Sequence, residues 1–144
     1  MNYQKLYNYI FNQPNNENIN FHEKVFITEV NSIPSKKTRN APNESIPFRK
    51  ENFLKSKFIQ SFPIVIIGGV GYFELTETKN EIEEIFKVEY AEKRIAGNKQ
   101  SQRYWIHWSS DKSKLLINTY QLSMCISDVL LQEIAHEIKL SGLI

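Results

Sequence analysis

The stretch PIVIIGG, residues 63–69, decides the fold class. Its apolar run is unbroken, made of isoleucine and valine, and closed by Pro63 on one side and Gly68 on the other. A strand with one wet face alternates apolar and polar residues. A strand without alternation is buried on both faces, as in a parallel sheet. On its N-terminal side a helix is expected from Pro47, because proline suits a first helical turn. Phe53, Leu54, Phe58 and Ile59 give that helix an apolar face, and Arg49, Lys50, Lys55 and Lys57 a basic one. On its C-terminal side, Thr78 and Glu81 have capping-box spacing ahead of the apolar stripe Ile82, Ile85 and Phe86.

Further out, KVFITEV (24–30) is rich in β-branched and aromatic residues and reads as an earlier strand. Tyr3, Leu6, Tyr7, Ile10 and Phe11 recur at helical spacing, so residues 2–12 read as a helix that stops before Pro14. Residues 91–103, AEKRIAGNKQSQR, read as a polar loop. YWIHW (104–108) and KLLINT (114–119) are strand-like across SSDKS, as a hairpin or as neighbours in a larger sheet. Ile126, Val129, Leu130, Ile134 and Ile138 mark a C-terminal helix with Ser127 as its cap and Asp128 in its first turn. This order predicts an α/β protein: one domain over residues 1–144, a three-layer sandwich with a mostly parallel central sheet flanked by helices.

With 144 residues and a 41% apolar share, the chain has the length and composition of one globular core. The apolar run Ile64–Val70 is far shorter than the roughly 20 residues a membrane helix needs. The first residues lack the basic-then-apolar pattern of a secretory leader, so a soluble cytoplasmic protein is expected. Cys125 stands alone, and His22, His107 and His136 have no metal-ligand spacing, so no cofactor or metal is expected. His107 reads as an exposed strand position and His136 as part of the polar side of the last helix. The net charge of +2 is small but unevenly spread: residues 35–57 are basic and residues 74–92 acidic.

Ligands of open α/β sheets sit outside the carboxyl ends of the strands. Three exits are therefore candidates: 29–32, 68–72 and 120–123. Gly68, Gly69 and Gly71 do not have the spacing of a dinucleotide fingerprint, and no phosphate-loop lysine follows, so they read as a tight strand exit. Lys36, Lys37 and Arg39 lie in a long irregular segment beside the first exit, and Lys93, Arg94, Lys99 and Arg103 in the later loop. Phosphates are the natural partners of such cations, and Tyr72, Trp105 and Tyr120 are aromatic platforms on which bases stack if exposed.

The succession VFITEVNSIPS (25–35), FPIVIIGGVGYF (62–73) and LLINTYQLS (115–123), closed by an amphipathic helix, resembles the C-terminal half to two-thirds of the uracil-DNA glycosylase superfamily. In that family a strand ends in an asparagine-containing loop, a buried strand follows a helix, and a late strand delivers a T-Y-H-P-S-like loop to DNA. The resemblance matches Asn31 to that asparagine and residues 119–123 to the late loop. It implies Asn31 and Gln121 as catalytic positions, and Glu29, a carboxylate at the same strand end that can act on water, completes the candidate catalytic set. The candidate ligand-binding set joins the basic residues Lys36, Lys37 and Arg39 and the exit residues Gly69, Gly71 and Tyr72 to Tyr120 and Ser123 of the late loop, and the resemblance implies DNA or a nucleobase-like ligand as partner in DNA repair. Gln121 stands where the family has histidine and Leu122 where it has proline, and the family's early glycine- and proline-rich loop has no counterpart before residue 24. Glutamine donates a hydrogen bond but has no cationic form to stabilise a departing anion. The expectation is a divergent family member that binds nucleic acid or a base-like ligand with degenerate or absent catalysis. Two alternatives are an active glycosylase with an atypical site, and an interaction module presenting YWIHW or the N-terminal helix.

Overall fold

The computed structural model describes residues 2–28, 46–69, 71–123 and 126–144. The chain forms two compact units, one of Met1–Phe26, Pro63–Val70 and Val88–Ile144, the other of Ile27–Phe62 and Gly71–Lys87.

The first unit is built on a four-stranded sheet in the order β1-β4-β3-β2, with β1 Ile64–Gly68, β2 Glu89–Ile95, β3 Arg103–Trp108 and β4 Leu115–Thr119. β1 pairs with β4 in parallel, whereas β4 with β3 and β3 with β2 are antiparallel. The α/β class stands, but the sheet is mixed rather than mostly parallel. The reason is the short turn Ser109–Ser113, which returns the chain directly as a hairpin where a parallel pair needs a long crossover. Asp111 Oδ1 accepts from Ser113 N, Ser113 Oγ and Ser109 Oγ in that turn, which holds its carboxyl down at about 2.

The expected strand at 24–30 is absent from its described part. Val25, Phe26 and Ile27 are exposed and join no ladder; the Lys24 and Val25 amides turn back to the Phe21 carbonyl. β propensity makes a strand only where a partner offers hydrogen bonds and cover. The supposed polar loop at 91–103 instead begins as β2, an edge strand whose charges and a bulge between Tyr90 and Glu92 suit a border facing water. YWIHW and KLLINT are strands as expected.

One face of the sheet carries the core. Ile106, Leu115 and Ile117 pack with Leu130, Leu131, Ile134 and Ile138 of helix α5, Asp128–Ser141, and with Leu6 of helix α1, Asn2–Ile10. Ser127 caps α5 by accepting from the Leu130 amide at 3.2 Å. β4, central and buried along its whole length, is the axis of the unit. Among the described residues no helix is long and apolar enough to cross a membrane.

In the second unit the helix expected from Pro47 is broken into α2 Ile46–Phe48, a π-helical turn Arg49–Phe53 and α3 Lys57–Gln60, which Ser56 caps. Leu54 and Ile59 are buried, but Phe58 turns outward. Helix α4, Glu81–Phe86, is capped by Asn80 rather than Thr78, with the Glu83 amide 3.0 Å from Asn80 Oδ1. Glu81 instead accepts from the Glu74 amide at 2.6 Å and pairs with Lys50 at 3.0 Å. Burial opposes its charge, yet those two donors hold its carboxyl below the ordinary value.

Candidate ligand-binding face

The parallel register of β1 with β4 brings two strand exits to the same edge. Gly68 stands opposite Thr119, and the Gly69 amide donates to the Thr119 carbonyl at 3.0 Å. The loop that follows β4 is pinned. Leu122 is buried in the core, and its carbonyl accepts from Asn2 Nδ2 at 2.6 Å. Gln121 is therefore held half-buried and Ser123 exposed beside the glycine exit. Ser123 caps no helix, since Ser127 does that.

Directly paired residues share a sheet face. Tyr104, Ile106 and Ile117 face α5, so Arg103, Trp105 and Asn118 face the other way. Lys93 stands opposite Trp105, and Asn118 stands opposite both Trp105 and Ile67, which makes one row across all four strands. Arg103 lies two residues before Trp105 on β3, on the same face and opposite Ile95 of β2. Its Nε donates to Tyr120 Oη at 2.8 Å, and its guanidinium carbon lies 5.7 Å from the Trp105 ring centroid and 6.0 Å from that of Tyr120. The two rings meet edge to face at 6.1 Å. The guanidinium is thus aimed by one hydrogen bond and two rings.

Asn118 is only 8% exposed, and its Oδ1 has no hydrogen-bond partner among the described residues. A buried polar oxygen without a donor costs about 1–3 kcal/mol, so Asn118 Oδ1 is an acceptor whose capacity is unused among the described residues. The acids of β2 and α5 lie on the opposite face. There Arg94 pairs with Glu92 and Glu137, and burial followed by the charge of Glu133 pushes the Tyr104 hydroxyl up to about 12. The Lys93–Trp105–Asn118 face carries cations and aromatic rings with no carboxylate at its strand positions.

Of the residues expected to form the site, Gly69, Tyr120, Gln121 and Ser123 come together at one edge. Gly71 and Tyr72 belong to the second unit, where Gly71 has φ +97°, a backbone form side chains rarely adopt. Glu29, Asn31, Lys36, Lys37 and Arg39 lie outside the described residues, as does Cys125. His107 is not exposed: it is 2% accessible, meets Tyr90 edge to face at 5.6 Å and stands opposite the fully buried Leu116. His136 is exposed on α5. Asn118 was the residue that pattern reading passed over, although an asparagine inside LLINT, an otherwise apolar central strand, is itself a signal. Among the described residues no group of three His, Cys, Asp or Glu side chains is placed to hold a metal.

The chain matches no protein-family model, no curated protein and no solved structure.

Proposed function

We propose that the protein is a divergent uracil-DNA-glycosylase-like domain that binds nucleic acid or a nucleobase-like ligand, with degenerate or absent catalysis. The observation that carries the reading is the junction of the Gly69 and Tyr120–Ser123 exits beside an aimed arginine, two aromatic rings and a buried acceptor lacking a donor. A planar heterocycle has the flat apolar surface that rings recognise and the N–H groups that Asn118 Oδ1 lacks. Gln121, on its pinned loop, supplies an amide to the same edge.

Catalysis needs more than such a cradle. Glycosidic cleavage requires a preorganised donor for the departing base and an activated water. Gln121 offers a neutral amide in place of the family's histidine. Incubated with uracil-containing DNA, the protein is expected to release no free base while still binding it. Release that Gln121→Ala abolishes would instead establish an active glycosylase.

A DNA-repair role, and DNA as the partner, belong to this same reading. Binding is tested by titrating uridine, thymidine and short oligonucleotides into the protein and following its tryptophan fluorescence. Saturable quenching that Trp105→Phe alters supports the reading. The absence of any response to all of these ligands contradicts it.

A further inference from the structure

Resting on that reading, we infer that the Lys93–Trp105–Asn118 face takes single-stranded nucleic acid in preference to duplex, with one unstacked base against Trp105 and flanking phosphates on Arg103 and Lys93. Three features on this face argue for a single strand.

The first is how Arg103 is held. Its Nε is committed to Tyr120, while its terminal donors carry no hydrogen bond or ion pair among the described residues. A guanidinium fixed in plane with its outer fork unused fits a phosphate bidentately. The second is the ring. Trp105 is half-buried in the sheet between Lys93 on one neighbouring strand and Asn118 on the other. In a duplex each base is already stacked on both faces and has none to offer such a ring, whereas an unpaired base does. The third is the buried Asn118 Oδ1. The ring N–H groups of uracil, thymine and guanine are used up by pairing in a duplex, so an acceptor beside the stacking ring receives one of these only from an unpaired base.

The electrostatics agree. On the opposite face Arg94 is neutralised by two carboxylates, whereas Lys93, its neighbour in sequence, shares its face with no carboxylate at the strand positions. Two cations flanking a ring match the phosphates on either side of one nucleotide.

The test is fluorescence anisotropy with a labelled strand of about 12 nucleotides, alone and annealed to its complement, over a salt series. The single strand is expected to bind at least about tenfold tighter than the duplex. Trp105→Ala is expected to weaken it by about 5- to 150-fold, the range of one lost base stack. Lys93→Gln changes an exposed side chain and leaves the fold intact. It is expected to reduce the slope of log affinity against log salt by about 0.7. Trp105→Phe keeps a ring and is expected to retain most of the affinity, which separates loss of stacking from loss of folding. Equal or tighter duplex binding, or a Lys93→Gln slope equal to that of the parent, overturns the single-strand inference. Nucleoside binding that persists in that case leaves the base-ligand reading standing. If neither oligonucleotide nor nucleoside binds, both fall.

Discussion

Gln4 lies on the buried side of α1, a place where a glutamine survives only if all its hydrogen-bonding capacity is used. Its Oε1 accepts from the Asn20 and Phe21 amides at 2.7 and 2.9 Å, and its Nε2 donates to Asn8 and Asn20 at 2.8 Å each. This one side chain closes the loop after α1 onto the helix. Gln4→Leu strands two backbone amides and is expected to cost about 2 kcal/mol in urea unfolding. Tyr104 gives a second outcome at this scale. Its phenol is raised from 10.0 to about 12 by burial and then by Glu133, so it folds neutral. The stability it contributes is full below pH 10.0, and is lost as pH rises toward 12, because the unfolded chain ionises first. An alkaline melting series is expected to show that loss, and Tyr104→Phe to reduce it. Residues were the least legible level. His107 and Asn118 sit where strand alternation leaves both sides open, and only tertiary packing over their part of the sheet decides that they are buried.

Elements were legible wherever burial imposes a period. α1, β1, β3, β4 and α5 fall where their apolar spacing puts them, and the Ser127 cap was readable from a serine before an aspartate-led apolar stripe. Ser127→Ala is expected to cost about 1 kcal/mol by the same unfolding measurement. The elements misread are those that burial does not shape. β2 is an edge strand with exposed charges, so its sequence has the look of a loop. Residues 24–28 have the composition of a strand without a ladder. At the end of α4, Lys87 adopts φ 56° and ψ 45°, the left-handed form in which a side chain is strained. Lys87 is exposed there, so Lys87→Gly is expected to raise stability by about 1 kcal/mol, seen as a higher denaturant midpoint.

At the scale of the whole molecule, one ion pair of the second unit, Lys50 with Glu81, joins the basic segment to the acidic one, whereas Lys55 with Glu51 and Lys79 with Glu74 pair within their own segments. In the first unit Arg94 is likewise matched, while Lys93 and Arg103 stand on the face whose strand positions carry no carboxylate. The candidate site was legible only in outline. Glycine and late-loop exits could be paired from the sequence, whereas the arginine and asparagine beside them required the register of β3 against β4. Two phosphate contacts predict a shallow salt dependence, a slope of about −1.4 for a single strand, and a much steeper one would mean that cations elsewhere carry the binding.

The most direct measurement follows backbone and indole amide signals by NMR while a short single-stranded oligonucleotide is added. Shifts confined to Gly69, Lys93, Arg103, Trp105, Asn118, Tyr120 and Gln121 are the predicted result. Saturable shifts that leave these residues untouched, or no shifts at all, contradict the account.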